Sequence, residues 1–148
     1  MVKKGRKKKT KTIAQELNHV AERVQKLVRL KAADDNGYVH CFDGCGHVDN
    51  WRYMQGGHFM SRRYTATKIM EENIHPQSPK CNMLMSKGDQ RVYEGFRLAM
   101  VETYGEDFIQ DLVEMTRQTK KWSRFELEDI LKDVNEQIKF HENRLGGL

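Results

Sequence analysis

Residues 41–82 read CFDGCGHVDNWRYMQGGHFMSRRYTATKIMEENIHPQSPKCN, and the reading of this stretch decides the fold. It gathers all three cysteines and both prolines of a 148-residue chain. Cys41 and Cys45, with glycines at 44 and 46, suit a zinc knuckle, because a tight turn aims two thiolates at one tetrahedral ion. Before and after this stretch the chain reads as amphipathic helix, with no polar cluster of comparable density. A function argued from the sequence must therefore be argued from here.

Downstream, Ser78-Pro79-Lys80-Cys81-Asn82 opens a helix-like segment. In zinc folds of the treble-clef type a C-x-x-C pair starts such a helix, but here its first member is serine. Cys41, Cys45 and Cys81 are three candidate zinc ligands, with the fourth falling to His47, His40, His75 or a water. A degenerate knuckle that packs without metal fits the same residues. An odd number of cysteines favours metal ligation or free thiols over disulfides.

Upstream, Tyr38-Val39-His40-Cys41 is a short β-like run, preceded by the helix stop Asp34-Asp35-Asn36-Gly37. Thr12 and Gln15 form a capping box, and Leu17, Val20, Val24, Leu27 and Val28 fall at helical spacing, so a helix is expected over about 13–33. Residues 1–12, MVKKGRKKKTKT, carry seven Lys/Arg and no acid, so the net charge of +5 is the tail's +7 and the remainder's −2. Lys3, Lys4, Arg6, Lys7, Lys8 and Lys9 are either a solubilising tail or sequence-independent phosphate contacts that release counterions.

Beyond the central stretch, Tyr93, Phe96, Met100, Val101 and Tyr104 make an apolar stripe over 88–104, ended by Gly105. Phe108, Ile109, Leu112, Val113 and Met115 indicate a short helix, followed by a polar linker over 116–121. Ser123 and Glu126 repeat the capping box before a last helix with Leu127, Ile130, Leu131, Val134 and Ile138 inward. The length suits one domain. No apolar run spans a membrane and no signal peptide is visible, so a soluble cytoplasmic protein is expected.

The central polar residues are spaced in a way that points to chemistry. His58 is followed after fourteen residues by Asn73, and after eight more by Asn82. This spacing resembles the HNH or His-Me finger nucleases, in which a β-hairpin and a following helix bring three such residues around one divalent ion. Asn-Gly-Tyr-Val-x-Cys, Trp51, Gly57-His58-Phe59-x-Ser-Arg62, Thr65-Ala-Thr, Glu72-Asn73-Ile-His75-Pro-Gln77, Cys81-Asn82, Gly88 and Tyr93 together closely resemble the NinG (Rap) recombination proteins of lambdoid phages, over roughly residues 27–105. The resemblance implies an α+β, mostly helical fold. A basic disordered tail (1–12) and an N-terminal helix (13–37) would precede a small ββα-metal, treble-clef-like core (38–105), and a C-terminal helical extension (106–148) would follow it.

It also implies an endonuclease acting on branched DNA, such as Holliday junctions and flaps, and leaving 5′-phosphate and 3′-hydroxyl ends. Such an enzyme would work in the host cytoplasm, as a homodimer, alongside other phage or host recombination proteins. His58 is the candidate general base, because imidazole titrates near neutral pH. Asn73 would orient it by hydrogen bonding, as the resemblance implies. Asn82 would offer its side-chain oxygen to Mg²⁺ or Mn²⁺. Many HNH enzymes carry an aspartate before the catalytic histidine, where this chain has Gly57, so another ligand is needed: His75 first, then Asp49 or Gln77. Arg62 and Arg63 are expected phosphate clamps, and Trp51, Tyr53 and Phe59 the core of the hairpin. The competing readings are a non-catalytic, zinc-containing module that binds branched DNA, and an HNH nuclease without junction preference.

Overall fold

A computed structural model describes residue 5 and residues 9–146. Of the expected basic tail, Lys3, Lys4, Arg6, Lys7 and Lys8 lie outside the described residues, and Lys9 is exposed. The fold is mixed α+β and mostly helical, with five α-helices and two two-stranded sheets among the described residues.

The first helix, α1 (Ile13–Ala32), starts at the capping box of Thr12 and Gln15 and buries Leu17, Val20, Val24, Leu27 and Leu30. After Gly37, β1 (Tyr38–His40) pairs antiparallel with β2 (Val48–Asn50), and the knuckle lies between them. A 3-10 turn over Trp51–Tyr53 leads into β3 (Gln55–His58), which pairs antiparallel with β4 (Ile74–Gln77), placing His58 opposite Ile74 and Gly57 opposite His75. Next come α2 (Pro79–Ser86), α3 (Gln90–Tyr104), α4 (Glu106–Thr116) and α5 (Arg124–Leu145).

The β3–β4 ribbon lies between two cores. On one side Ile74 and Met54 pack with the buried stripe of α1 and with Leu127, Val134 and Ile138 of α5. On the other, Phe59 packs with Phe96 and Met100 of α3 and Ile109 and Leu112 of α4, and Phe42 completes the cluster. Successive side chains of a strand point to opposite faces, so two such cores are the natural outcome. The glycines of β3 make the fit possible. A Cβ on Gly56 would lie 2.7 Å from Gln25 Cβ, and one on Gly57 would lie 1.9 Å from Gln77 Oε1.

The last helix packs on its own chain, running parallel to α1. Arg124 pairs with Glu16 at 2.5 Å near the start of both helices, and Arg144 donates to the carbonyls of Leu30 and Ala33, each at 3.1 Å, at their ends. Those carbonyls sit where a helix runs out of internal donors, so Arg144 caps α1 from outside. One sequence expectation fails here. Tyr53 is 68% exposed and not core. Arg29 of α1 is half-buried and donates to the carbonyls of Trp51 and Met54 at 3.1 Å.

Candidate metal centre and active-site cleft

The knuckle brings four donors together. The Sγ atoms of Cys41, Cys45 and Cys81 and a carboxylate oxygen of Asp43 lie within 4.8 Å of one another. Ligands about 2.3 Å from a tetrahedral zinc stand roughly 3.8 Å apart, so small side-chain movements close this set around an ion. The sequence reading expected the fourth donor at His47, His40, His75 or a water, and the structure places Asp43 there. His47 stands on the surface 3.8 Å from Asp49, and His40 is exposed on β1. Ser78, standing where a cysteine was sought, is the N-cap of α2: its Oγ accepts from the Cys81 N–H at 3.1 Å and its own N–H donates to Cys41 Sγ at 3.3 Å.

Asp43 Oδ1 accepts from the Cys41 thiol at 3.1 Å and from the Cys45 N–H at 3.0 Å, while Gln77 Nε2 reaches Asp43 Oδ2 at 3.5 Å. Burial pushes the Asp43 carboxyl up, but hydrogen bonds from Cys41, Cys81 and Cys45 outweigh it and hold the group below its ordinary value. Burial also pushes the Cys41 thiol far up and Cys81 up to about 11, with Asp43 adding to both. Metal-free, these thiols keep their protons. A soft divalent ion such as zinc would draw those protons off, so the chemistry of the donor set fits it.

The catalytic candidates divide between two sides of the ribbon. A cleft of about 950 Å³ has Gln55, Gly56 and His58 of β3 on its floor, with α1 and α2 as walls, and Asn82 and Arg62 line it. His58 Nε2 lies 2.7 Å from the carbonyl of Lys68. A carbonyl only accepts, so Nε2 carries the proton and Nδ1 is left as the basic nitrogen. Burial is the main cause that lowers the His58 pKa to about 4, against the raising effect of the Lys68 carbonyl and with Arg62 and Lys68 lowering it further. Across the cleft, Asn82 Nδ2 donates to Gln55 Oε1 at 2.8 Å, which leaves Asn82 Oδ1 for a ligand.

Asn73 does not bond to His58. It is fully buried, accepts from the Met60 N–H at 2.8 Å, and donates to the carbonyls of Met60 at 3.0 Å and Thr67 at 3.1 Å. It clamps the loop that carries the Lys68 carbonyl and thus acts on His58 one step removed. His75 is not beside His58 either. Being one residue along from Ile74, it points to the opposite face, stacks on Phe42 at 3.9 Å, and meets the Glu72 carbonyl at 2.9 Å and the Tyr104 hydroxyl at 3.1 Å. It lines a separate 500 Å³ hollow with Lys31 and Glu71. Asp49 lies on β2, and Gln77 is fully buried beside Asp43.

The family model of the bacteriophage lambda NinG protein matches residues 1–144. The chain belongs to the NinG family. No curated protein and no solved structure matches it.

In this NinG-family chain the loop between Phe59 and Asn73 is secured from three directions. Asn73 clamps its ends, Lys68 Nζ donates to Asn18 Oδ1 on α1, and Thr65 is held by the Trp122 indole at 2.9 Å and the Lys120 N–H at 3.0 Å. The polar segment read as a linker is therefore a brace. Arg63, next to Arg62, lies over the Tyr64 ring at 4.7 Å on the exposed side of the loop and does not line the cleft. Sequence reading missed Asp43, the Lys68 carbonyl and the α1 wall. Only Asp43 left a trace, as the middle residue of C-x-D-x-C.

Proposed function

We propose that this NinG-family protein is a metal-dependent, structure-specific DNA endonuclease of phage recombination. Its substrates would be branched intermediates such as Holliday junctions and flaps. The observation that carries the reading is the tautomer of His58: with Nε2 committed to the Lys68 carbonyl at 2.7 Å, Nδ1 is the unprotonated nitrogen of a residue that lines the cleft. Its lowered pKa keeps it neutral at physiological pH. The branched-DNA preference rests on family membership.

His58 Nδ1 takes the proton from a water positioned for attack on phosphorus. Arg62, at the same rim, holds a non-bridging phosphate oxygen through its guanidinium fork. Asn82 and its partner Gln55 present amide oxygens to the cleft wall. Mg²⁺ or Mn²⁺, when bound, supplies charge neutralisation at the phosphate and at the departing 3′ oxygen. Zinc held by Cys41, Asp43, Cys45 and Cys81 would fix the start of α2, and with it Asn82, against β1. Symmetric cutting of a four-way junction calls for a two-fold dimer.

The test is cleavage of junction, flap, single-strand and linear duplex substrates with Mg²⁺ or Mn²⁺. The intact protein should cut branched substrates, and His58→Ala should bind them without cutting. Undiminished cutting by His58→Ala rejects the assigned base. A second reading, a non-catalytic zinc module for branched DNA, is favoured by Gly57, where no side chain fits, and by the placement of His75. Binding without cutting by the intact protein would support it.

A further inference from the structure

Asn18, Glu22, Gln25 and Arg29 follow one another along α1 at intervals of four, three and four residues, so they share one helix face. This face lies along the cleft side of β3. Arg29 donates to the Met54 carbonyl at 3.1 Å, and Gln25 Nε2 donates to the Gly56 carbonyl at 2.8 Å. Asn18 accepts from Lys68, whose own carbonyl holds His58. The helix thus descends past β3 in reverse order, and Glu22 stands between Gln25, which meets Gly56, and Asn18, which meets Lys68, on the cleft that His58 also lines. Glu22 lines the cleft and is the sole carboxylate among the described residues that do. Three of the four residues on this face have partners. The Glu22 side chain has neither hydrogen bond nor ion pair among the described residues, although Arg62 lines the same cleft.

We propose that Glu22 is the carboxylate ligand of a hard divalent cation in this cleft, sharing it with the side-chain oxygen of Asn82. The proposal rests on the nuclease reading for its purpose, but not for its geometry. A magnesium-class ion takes oxygen donors, keeps several waters, and is commonly held by one or two carboxylates together with substrate phosphate. Asn82 is a neutral donor, and a neutral amide alone leaves such an ion without charge compensation. A carboxylate cannot come from position 57, where a Cβ would lie 1.9 Å from Gln77 Oε1. It cannot come from β4, because His75 and Gln77 are turned away from the cleft. The N-terminal helix is thereby part of the site and not only its scaffold.

The experiment uses the full chain, prepared without chelator so that any metal in the cysteine cluster stays in place. Mn²⁺ is titrated in, and free Mn²⁺ is followed by electron paramagnetic resonance. The intact protein and His58→Ala should bind Mn²⁺ alike, and Glu22→Gln should bind at least tenfold more weakly. Glu22 is exposed, so its isosteric replacement leaves packing intact, which circular dichroism checks. Equal Mn²⁺ affinity in Glu22→Gln overturns the proposal, as does an intact protein that takes up no Mn²⁺. Branched-DNA cleavage is measured in parallel. Weakened Mn²⁺ binding in Glu22→Gln, with no cleavage of any substrate by the intact protein, upholds the ligand and overturns the nuclease reading. Cleavage by the intact protein, with Mn²⁺ affinity unchanged in Glu22→Gln, upholds the nuclease and overturns the ligand.

Discussion

His58 and His75 are one strand apart, face opposite ways, and have pKa values lowered to about 4, mainly by burial. In the unfolded chain both titrate near 6.5. The unfolded state therefore binds two protons that the native state refuses, so stability is full above about pH 6.5 and falls as the pH drops towards 4. Each histidine contributes a slope of about 1.4 kcal/mol per pH unit in that window. Replacing His75 with Gln, which keeps a polar group beside Tyr104 and Glu72, should remove one proton from this dependence. Urea unfolding at several pH values between 4 and 7 measures it, and an unchanged slope would show that His75 is not held neutral. Of the single residues, His58 and Asn82 stand out in the sequence by their nuclease-like spacing, and the structure puts both on the lining of one cleft. Asp43 was not legible, since an aspartate followed by glycine between two cysteines reads equally well as a turn former. Glu22 left no signal for a different reason: a charge on the outer face of an amphipathic helix is normally solvated, and only the approach of β3 and α2 makes that exposed face one wall of a cleft.

The β3–β4 ribbon and the loop between its strands behave as one unit because Asn73 ties them. Removing its amide in Asn73→Ala strands the Met60 N–H and the Met60 carbonyl, each worth on the order of 1–3 kcal/mol when left unpaired, while the Thr67 carbonyl keeps the Met70 N–H. The variant should lose at least about 2 kcal/mol of stability in denaturant titration. On the nuclease reading, cleavage should fall with it, as the Lys68 carbonyl loosens and His58 loses its fixed tautomer. Full stability in Asn73→Ala would mean that the loop is held by Trp122 and Asn18 alone. The helices were readable from their caps and apolar stripes, and the capping boxes at Thr12 and Ser123 stand as expected. The ribbon was harder. Gln55-Gly56-Gly57-His58 lacks the alternating apolar residues that announce a strand, because its glycines serve the close approach of α1 on one face and Gln77 on the other.

For the whole molecule, the cysteine cluster is the joint between the β1–β2 sheet and α2, and α3 presses on it closely enough that a Cβ on Gly95 would meet the Asp43 carbonyl at 2.6 Å. Loading the cluster with zinc should therefore raise Tm and order the cleft together, and a chelator should reverse both, since Asn82 follows Cys81 directly. Asp43→Ala should bind less than one equivalent of zinc by atomic emission. A full equivalent in that variant would remove Asp43 from the ligand set. The sequence could not reveal how the ends of the chain meet. Partners such as Arg124 with Glu16, or Arg144 with Leu30, stand 108 and 114 residues apart, and nothing local to either helix names the other. That pairing has a consequence for synthesis. The apolar stripe of α1 emerges from the ribosome early but gains its main helical partner only when α5 follows, more than a hundred residues later. Closure of the larger core is thus a late, long-range event, and until then the nascent chain carries an uncovered adhesive surface that a chaperone can shield.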